Sequence, residues 1–272
     1  MKKQQQVKFL TTCVMSSIAV GVVGTAEASG FALVEQSVKQ AGSAISGGAA
    51  SAEDASTIYF NPAGMTRLRG TQVSVGAHLV SPSAEFKGSA TTNPLLGGAS
   101  ISGGDGGEAG STALVPSVYI SRALSEKLWV GLGIGAPFGL STEYDSGWVG
   151  RYHAIKSKVE TVNFNPSLAY KVNDQLSLGG GNDDMRATAE LTNAVDYSTA
   201  CLGALGAAGC FSSGLVTPGT ASTDGKVSIE GDDWSYGYNL GLLYEVSQDT
   251  RLGIAYRSKV KQDLQGNANF TA

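Results

Sequence analysis

An alternation of apolar residues with small or polar residues recurs along the chain from residue 71 onward. It is clearest between Trp234 and Val246, where Tyr236, Tyr238 and Leu240 are separated by Gly and Asn. Successive side chains of a β-strand point to opposite faces, so this period of two predicts a strand with one apolar face. About seven strands are predicted in this way, and the others lie near residues 73–79, 114–120, 128–134, 162–170, 176–191 and 252–256.

The connections between these strands alternate in length. Short polar turns begin at Ser125, Val172 and Ser247, whereas residues 84–112, 137–155 and 192–225 form long connections. Short turns on one side and long loops on the other are typical of outer-membrane barrels. Aromatic residues lie toward the strand ends, as an interfacial girdle requires: Tyr170, Trp234, Tyr236, Tyr244 and Tyr256. The pattern favours a transmembrane antiparallel β-barrel, with a soluble sandwich or jelly roll as the alternative.

The N-terminus predicts export from the cytoplasm. Three lysines precede an apolar run over residues 9–23, and Ala26-Glu27-Ala28 then supplies small residues at a cleavage site, so residues 1–28 are a predicted signal peptide. Removal of its three Lys and one Glu changes the formal charge from −4 to −6. Such a charge argues against nucleic-acid binding. No later apolar run approaches the ~18 residues that a membrane helix needs.

The strand count indicates an incomplete barrel. An odd number of antiparallel strands cannot close a bacterial barrel, because the first and last strands would run parallel. The chain also ends in GNANFTA, without an aromatic residue at the end of a last strand. Either one strand is miscounted or the chain is the N-terminal part of a longer protein whose C-terminal strands are missing here, and we favour the second interpretation.

Four blocks of sequence, in order, resemble the FadL/TodX family of outer-membrane transporters for long-chain fatty acids and other hydrophobic compounds. They are SGFALVEQS, GGAASAEDASTIYFNPAGMTRLRG, GAPFGLSTEYDSGWVGRY and LGIAYRSKVKQDLQG. The resemblance implies a fourteen-stranded barrel whose N-terminal segment folds inside the lumen as a hatch. Residues 29–70 would form the hatch, and residues 71–272 would form about half of the barrel. It further implies an outer-membrane location in a Gram-negative bacterium, passive uptake of a hydrophobic small molecule, contact with outer-membrane lipid and a monomeric state.

On this interpretation, the hatch is shaped by four consecutive residues, Asn61, Pro62, Ala63 and Gly64. Proline locks φ, and the Asn side chain can form a local hydrogen bond, so the pair would fix one bend and take part in gating. The alternative is that these residues form only a turn before a strand. Phe31 and Leu33 are the apolar residues of this segment that could contact a ligand.

The ligand of the resembled family is an acyl chain with a carboxylate, which predicts apolar and basic ligand-binding residues. Continued alternation after Tyr256 would point Arg257, Lys259 and Lys261 into the lumen, and Arg186 is a further basic candidate. The alternative is that these are solvated lumen charges without a ligand. Asn182, Asp183 and Asp184 are consecutive inside a predicted strand, so an acid would face lipid unless a bulge or loop intervenes.

Phe138, Leu140 and Trp148 lie in a predicted long loop, where they could form an apolar landing site for a hydrophobic substrate. The alternative is that these side chains only pack the loop against its neighbours. Cys201 and Cys210 are the cysteines that remain after removal of the signal peptide, and in an oxidising compartment they are expected to form a disulfide.

Enzymatic activity is not expected, because neither His78 nor His153 accompanies a local nucleophile arrangement, and no metal or cofactor site is predicted. The alternatives are a general diffusion porin for polar solutes, or a barrel used as an adhesin or an enzyme. A hatch of about forty residues argues against an open pore, because it would fill the lumen. The sequence does not distinguish fatty acids from aromatic hydrocarbons as the substrate.

Overall fold

A single antiparallel sheet of nine strands forms most of the part of the protein that the structure describes. The computed structural model describes residues 32–92, 98–215 and 217–271, so the predicted signal peptide and Phe31 lie outside the described residues. The strands are β1 (Thr71–Val80), β2 (Ala113–Ala123), β3 (Leu128–Gly135), β4 (Gly139–Glu143), β5 (Lys156–Lys171), β6 (Leu176–Asp196), β7 (Asp224–Glu245), β8 (Arg251–Arg257) and β9 (Gln265–Thr271).

Sequential strands are neighbours in the sheet, in the order β1-β2-β3-β5-β6-β7-β8. β4 pairs with the N-terminal part of β5, residues 156–160, which extends beyond β3. In the same way, β9 pairs with the N-terminal part of β7, residues 226–232, which extends beyond β8. The nine strands therefore occupy seven positions, two of which hold an interrupted strand. This up-and-down sheet curls into about half of a barrel, which confirms the predicted fold class.

The interruption between β3 and β4 comes at Pro137, which has no N–H to donate to the ladder. The prediction placed residues 137–155 in one long loop, and it missed β4 because Gly139–Glu143 lacks apolar alternation. Pairing of β6 with β7 continues up to Asp196 and Asp224, so the long connection between them is shorter than predicted.

Alternation sorts the side chains of each strand between two faces, as predicted. On β7, Trp234, Tyr236 and Tyr238 are exposed on the outward face, whereas Asn239 is 2% exposed and Leu243 is 1% exposed on the inward face. Outward apolar side chains that would be unfavourable in water are expected where the solvent is lipid.

The N-terminal segment, residues 32–70, lies against the inward face of the sheet. It contains three single-turn helices, α1 (Val38–Ala41), α2 (Gly48–Ser51) and α3 (Thr57–Phe60), followed by a 3-10 helix over Pro62–Arg67. Short turns of this kind suit a sequence of Gly, Ala and Ser with few large anchors. The main hydrophobic core lies between this segment and the sheet: Ala55, Ile58, Met65, Leu68, Tyr119, Trp129 and Ala169.

Small residues on the inward face make room for the N-terminal segment. A Cβ atom added at Gly241 would overlap the side-chain oxygen of Asn61, and one added at Gly179 would overlap the backbone of Pro62 and Ala63. At Gly131 an added Cβ would crowd Met65 and Ile58. The glycines of the alternating pattern are therefore needed for close approach of two backbones rather than for turns.

The remaining α-helix of the described residues, α4 (Tyr197–Cys210), lies in the connection between β6 and β7, together with two short 3-10 helices over Phe211–Ser213 and Ala221–Thr223. Asp196 caps its N-terminus by accepting a hydrogen bond from the Thr199 backbone at 3.0 Å. Within the described ranges, no helix has both the length and the hydropathy needed to cross a bilayer.

Candidate functional site: the interface between the N-terminal segment and the sheet

Side chains of the sheet hold the N-terminal segment by its backbone carbonyl groups. Single-turn helices leave most of their carbonyls without an intrahelical partner, so these groups need donors from elsewhere. Five strand residues supply such donors, each to one carbonyl oxygen: Tyr119 to Gln36 at 2.9 Å, Trp129 to Leu68 at 2.8 Å, Asn239 to Ile58 at 3.2 Å, Arg251 to Ser51 at 2.9 Å and Arg257 to Tyr59 at 2.9 Å.

Asn61 is the most completely bonded residue of this interface. Its side-chain oxygen accepts a hydrogen bond from the Ala63 backbone at 3.0 Å, which caps the 3-10 helix that begins at Pro62. Its amide nitrogen donates to the carbonyls of Ala49 at 2.6 Å and Leu242 at 3.0 Å. One fully buried side chain therefore joins two parts of the N-terminal segment to β7.

The residues that follow Asn61 are packed too closely for larger side chains. A Cβ atom added at Gly64 would overlap the Thr57 hydroxyl and crowd Ala52. Ala63 is fully buried and lies against Gly179 of β6. One compact joint therefore connects the segment to the inward face of the sheet, which is called the wall below. It is formed by Asn61, Pro62, Ala63 and Gly64, and it is more than an isolated turn before β1.

Arg257 joins the wall, a buried acid and the N-terminal segment. Its guanidinium group forms an ion pair with Asp183 on β6, donates to the Tyr59 carbonyl and lies 4.5 Å from the centre of the Tyr59 ring. Asp183 is fully buried and also accepts a hydrogen bond from Asn163 at 2.8 Å. Its second carboxylate oxygen has no hydrogen-bond partner among the described residues. This charged pair crosses the sheet from β6 to β8 and reaches the segment.

The predicted row of three inward basic residues is reduced to one. Alternation ends with β8 at Arg257, so Lys259 and Lys261 lie in the following connection, exposed. Lys261 pairs there with Asp263 at 3.3 Å. The prediction that Lys259 and Lys261 continue the inward face of a strand is wrong, because the strand does not extend that far.

Arg186 lies on the outward face of β6, opposite Val162 of β5 and Trp234 of β7. Its expected place was the lumen. The same alternation places Asp183 inward and Asp184 outward, without a bulge in the pairing of β6 with β7. One acid of this stretch therefore does face outward.

Leu33, Phe138 and Leu140 lie together near the break between β3 and β4. The Leu33 backbone donates to the Pro137 carbonyl at 2.9 Å, and Ala32 forms an isolated bridge with Phe138. Phe138 and Leu140 are half-buried at this break rather than presented on an outer loop.

Trp148 packs its own loop and is 8% exposed. Its ring stacks on Tyr144 with centroids 4.0 Å apart and meets the edge of Phe86 at 5.5 Å. Its indole nitrogen donates to the Ala154 carbonyl at 2.8 Å. These contacts match the alternative interpretation of the aromatic residues in this loop.

Arg151 organises the long connections, and sequence reasoning gave it no role. It is 1% exposed, forms a 2.6 Å ion pair with Asp224 and donates to the carbonyls of Ser102 and Gly219. Tyr152 donates to the same carboxylate at 2.7 Å. Burial, reinforced by this hydrogen bond, raises the pKa of Tyr152 above its ordinary value. A single arginine thus ties three connections together, and only its place in the motif GWVGRY hinted at this.

Cys201 and Cys210 are joined by a disulfide within α4, on the same side of the sheet as the other long connections. The loop it closes touches neither Asn61 nor Arg257. Leu205, inside the closed loop, is 67% exposed.

Comparison with known proteins identifies the family. A model of the outer membrane protein transport family (OMPP1/FadL/TodX) matches residues 19–272. The chain belongs to the FadL/TodX family. Its relatives in this family include outer membrane proteins of Gram-negative bacteria, and the outer membrane is where this protein resides.

Among the relatives, a long-chain fatty acid transport protein of Escherichia coli O6:H1 is 31% identical over 266 residues, covering 96% of this chain and 57% of the relative. A putative outer membrane protein of Neisseria meningitidis serogroup B is 34% identical over 246 residues, covering 90% of this chain and 52% of the relative. The chain thus spans about half the length of these curated relatives.

Solved structures of the family share the fold. A Pseudomonas aeruginosa FadL homologue superposes with a TM-score of 0.77 at 23% identity, over 88% of this chain and 55% of that chain. The Pseudomonas putida toluene transporter TodX superposes with a TM-score of 0.51 at 19% identity, over 79% of this chain and 54% of that chain.

Proposed function

We propose that the protein is a channel for passive uptake of long-chain fatty acids or other hydrophobic compounds, and that residues 32–70 are its gating hatch. The observation that carries this proposal is the fit of the N-terminal segment to a glycine-lined inward face. A diffusion pore for polar solutes has no use for a wall shaped to hold a plug. Relatives named as fatty acid and toluene transporters support a hydrophobic substrate.

The hatch is suited to movement without unfolding of the barrel. Its helices are single turns, and its polar attachments are individual hydrogen bonds from side chains of the sheet, beside the hydrophobic core that the segment shares with the sheet. Each such bond contributes roughly 0.5–1.5 kcal/mol, so a few of them can be exchanged at modest free-energy change. The sheet keeps its ladder during that exchange.

Arg257 is the residue that we assign to the substrate carboxylate. It is an inward basic side chain that contacts the N-terminal segment at Tyr59, and a planar guanidinium can bind a carboxylate with two hydrogen bonds. Leu33, Phe138 and Leu140 would contact the apolar part of the substrate, and Phe31 stays a prediction of the sequence. The channel acts as a monomer in this proposal.

The test compares adjacent glycines of β6 in the complete protein. Gly179→Ala places a methyl group against Pro62 and Ala63, whereas Gly180→Ala points outward, where the nearest atom is Leu240 Cδ2 at 3.3 Å. We expect Gly179→Ala to displace the hatch, raise small-ion conductance in planar bilayers and alter uptake of oleate and toluene by cells. Gly180→Ala should behave as wild type.

Equal conductance and uptake in the two variants would contradict a gating role for the segment. Heat-modifiable migration in gels checks that both variants still form a barrel. A channel that conducts ions as freely as an open porin before mutation would instead favour the diffusion-pore alternative.

A further inference from the structure

A charged surface interrupts the outward face of β5, β6 and β7 at one level. On β7 the outward residues are apolar or aromatic from Tyr244 to Trp234, and the next two are Asp232 and Glu230. On the same face of β5, Val162 is followed by Glu160 and Lys158. Thr188 of β6 pairs with both Glu160 and Asp232, so the change from apolar to charged falls at the same height on β5 and β7. On β6, between them, charged residues already begin lower, at Asp184 and Arg186.

Aromatic rings mark this height as the edge of the membrane. Phe164 and Trp234 stack on the outward face with centroids 6.1 Å apart, below Glu160 of β5 and Asp232 of β7. The long connections of the chain leave the sheet at this end, which is the extracellular end of an outer-membrane barrel. Side chains above such an aromatic girdle face the headgroups of the outer leaflet.

The charged residues surround an open cavity of about 490 Å³. Its lining includes two cations, several carboxylates and two amide side chains contributed by β9: Lys158, Arg186, Glu190, Glu230, Asp232, Gln265 and Asn267. Arg186 is about half exposed and contacts Asp232 at 3.3 Å, whereas Lys158 contacts Glu160 at 2.9 Å. Exposed pairs of this kind contribute little stability, so both cations can exchange partners readily.

A polar notch extends from this cavity down into the aromatic level. Asp184 lies on the outward face between Phe164 of β5 and Tyr236 of β7, and it accepts a hydrogen bond from Asn182. A carboxylate in contact with hydrocarbon is unfavourable and is normally found where a polar partner reaches it. Asp184 and Arg186 are successive outward-facing residues of β6, so one polar ligand could contact both.

We propose that this surface, formed by Lys158, Arg186, Asp184, Glu230 and Asp232, binds the phosphorylated headgroup of an outer-leaflet glycolipid together with its divalent counter-ion. Arg186 and Lys158 would bind phosphate oxygens, since a guanidinium fork matches that geometry. The carboxylates outnumber the cations around the cavity, so they would repel a bare phosphate. A Mg²⁺ or Ca²⁺ ion resolves this conflict, because hard cations are bound jointly by carboxylate and phosphate oxygens.

Sugar hydroxyl and amide groups of the glycolipid would fill the notch and donate to Asp184. This surface faces away from the lumen, so the inference depends on the barrel's outer-membrane location and not on the proposed transport function. It also gives a role to Asn182, Asp184 and Arg186, whose side chains lie on the outward face and are not used by the lumen.

The test measures lipid binding by the complete, delipidated protein in detergent. The probes are a bis-phosphorylated glycolipid with Mg²⁺, the same glycolipid without phosphates, and phosphatidylglycerol with Mg²⁺. We expect the phosphorylated glycolipid to raise the unfolding temperature and to bind more tightly than either of the other lipids, and we expect a chelator to weaken that binding.

The variant K158Q/R186Q should bind the phosphorylated glycolipid about tenfold more weakly, as expected from loss of two charge-assisted contacts. The matched control is Lys171→Gln, at the opposite end of β5, which should bind as wild type. If the double variant does not fold, Arg186→Lys serves in its place, because it keeps the charge and removes the fork.

Three results would overturn the proposal. They are equal binding of the phosphorylated and dephosphorylated glycolipids, equal binding of phosphatidylglycerol, and unchanged binding by both cation variants. Each would reduce the surface to a set of solvated charges above a nonspecific lipid annulus.

Discussion

At the scale of single residues, the role of Arg257 depends on its partner Asp183. The buried carboxylate orients the guanidinium toward the hatch carbonyl of Tyr59, and it also competes with any incoming carboxylate. Removal of one partner leaves the other charge without compensation, which is strongly unfavourable in a buried site. The two residues are therefore best studied together.

We expect Arg257→Gln to weaken binding of a fatty acid much more than binding of its methyl ester, because only the acid carries the charge that a guanidinium recognises. Binding can be measured by displacement of a fluorescent ligand from the complete protein. Lys261→Gln, at an exposed residue beyond β8, is the control and should bind both ligands as wild type. Equal losses for acid and ester would assign Arg257 a structural role only.

Arg151→Ala should loosen the long connections without affecting the sheet. It removes the partner of Asp224, whose side chain is 7% exposed, and breaking a buried ion pair destabilises by about 3–5 kcal/mol. Limited proteolysis of intact cells would detect new cleavage in residues 98–110 or 217–223. Lys87→Ala removes an exposed cation from a neighbouring loop and should leave the cleavage pattern unchanged. Resistance of the Arg151 variant would contradict this role.

The inward or outward direction of a side chain was predictable from the sequence only where the alternation of a strand determines it. The inward direction of Arg257 follows from the outward direction of Tyr256, one residue before it. Consistent application of the same rule to β6 would also have placed Arg186 outward, since Leu178 is outward and both numbers are even. The pairing of Arg257 with Asp183 joins residues 74 positions apart, and no local pattern contains that information.

At the scale of elements, the strands were predicted better than their interruptions. Apolar alternation located all seven positions of the sheet, because one face of every strand is in contact with lipid. β4 was missed because it is a short strand with no apolar alternation. β9 was missed because its alternation of apolar and polar residues is weak. The packing of Trp148 against Phe86 could not be predicted from the sequence, because it depends on how two loops pack together.

Helix α4 provides a prediction at this scale. The disulfide joins two residues that are nine positions apart in the chain, and the loop it closes is separate from residues 61–64, which join the hatch to the sheet. Replacement of Cys201 and Cys210 by Ser should therefore leave membrane insertion and substrate uptake close to wild type. Pulse-chase assembly and uptake in cells would measure both. Failure of the double variant to insert would show that the bridge is needed for folding of the barrel.

At the scale of the whole molecule, the sheet and the proposed hatch, residues 32–70, have different sources of stability. The sheet is stabilised by continuous backbone pairing, of which the ladder between β6 and β7 is the longest part. The hatch is stabilised by side chains of that sheet. The ladder pairs strand with strand, so deletion of the hatch would remove packing and side-chain bonds but no ladder pair.

Deletion of residues 32–68 from the complete protein should leave a barrel that inserts and shows heat-modifiable migration, but conducts small ions at a higher level. Lost contacts with Trp129 and the inward glycines should lower its unfolding temperature. Single-channel recordings in planar bilayers give the conductance. An inserted deletion variant with wild-type conductance would show that another part of the protein closes the lumen.

The side-chain donors that hold the hatch also determine the order in which the chain can fold. Asn61 bonds to a carbonyl 181 residues away, and the donors from Arg257 and Arg251 come from 198 and 200 residues away. Contacts so distant in sequence form late, because the loop-closure entropy must be overcome first. The N-terminal segment, although it comes first in the chain, therefore acquires its structure late, after the strands that supply its partners. Its composition of Gly, Ala and Ser, with few large apolar side chains, suits a segment that has to remain unfolded and unaggregated during that delay.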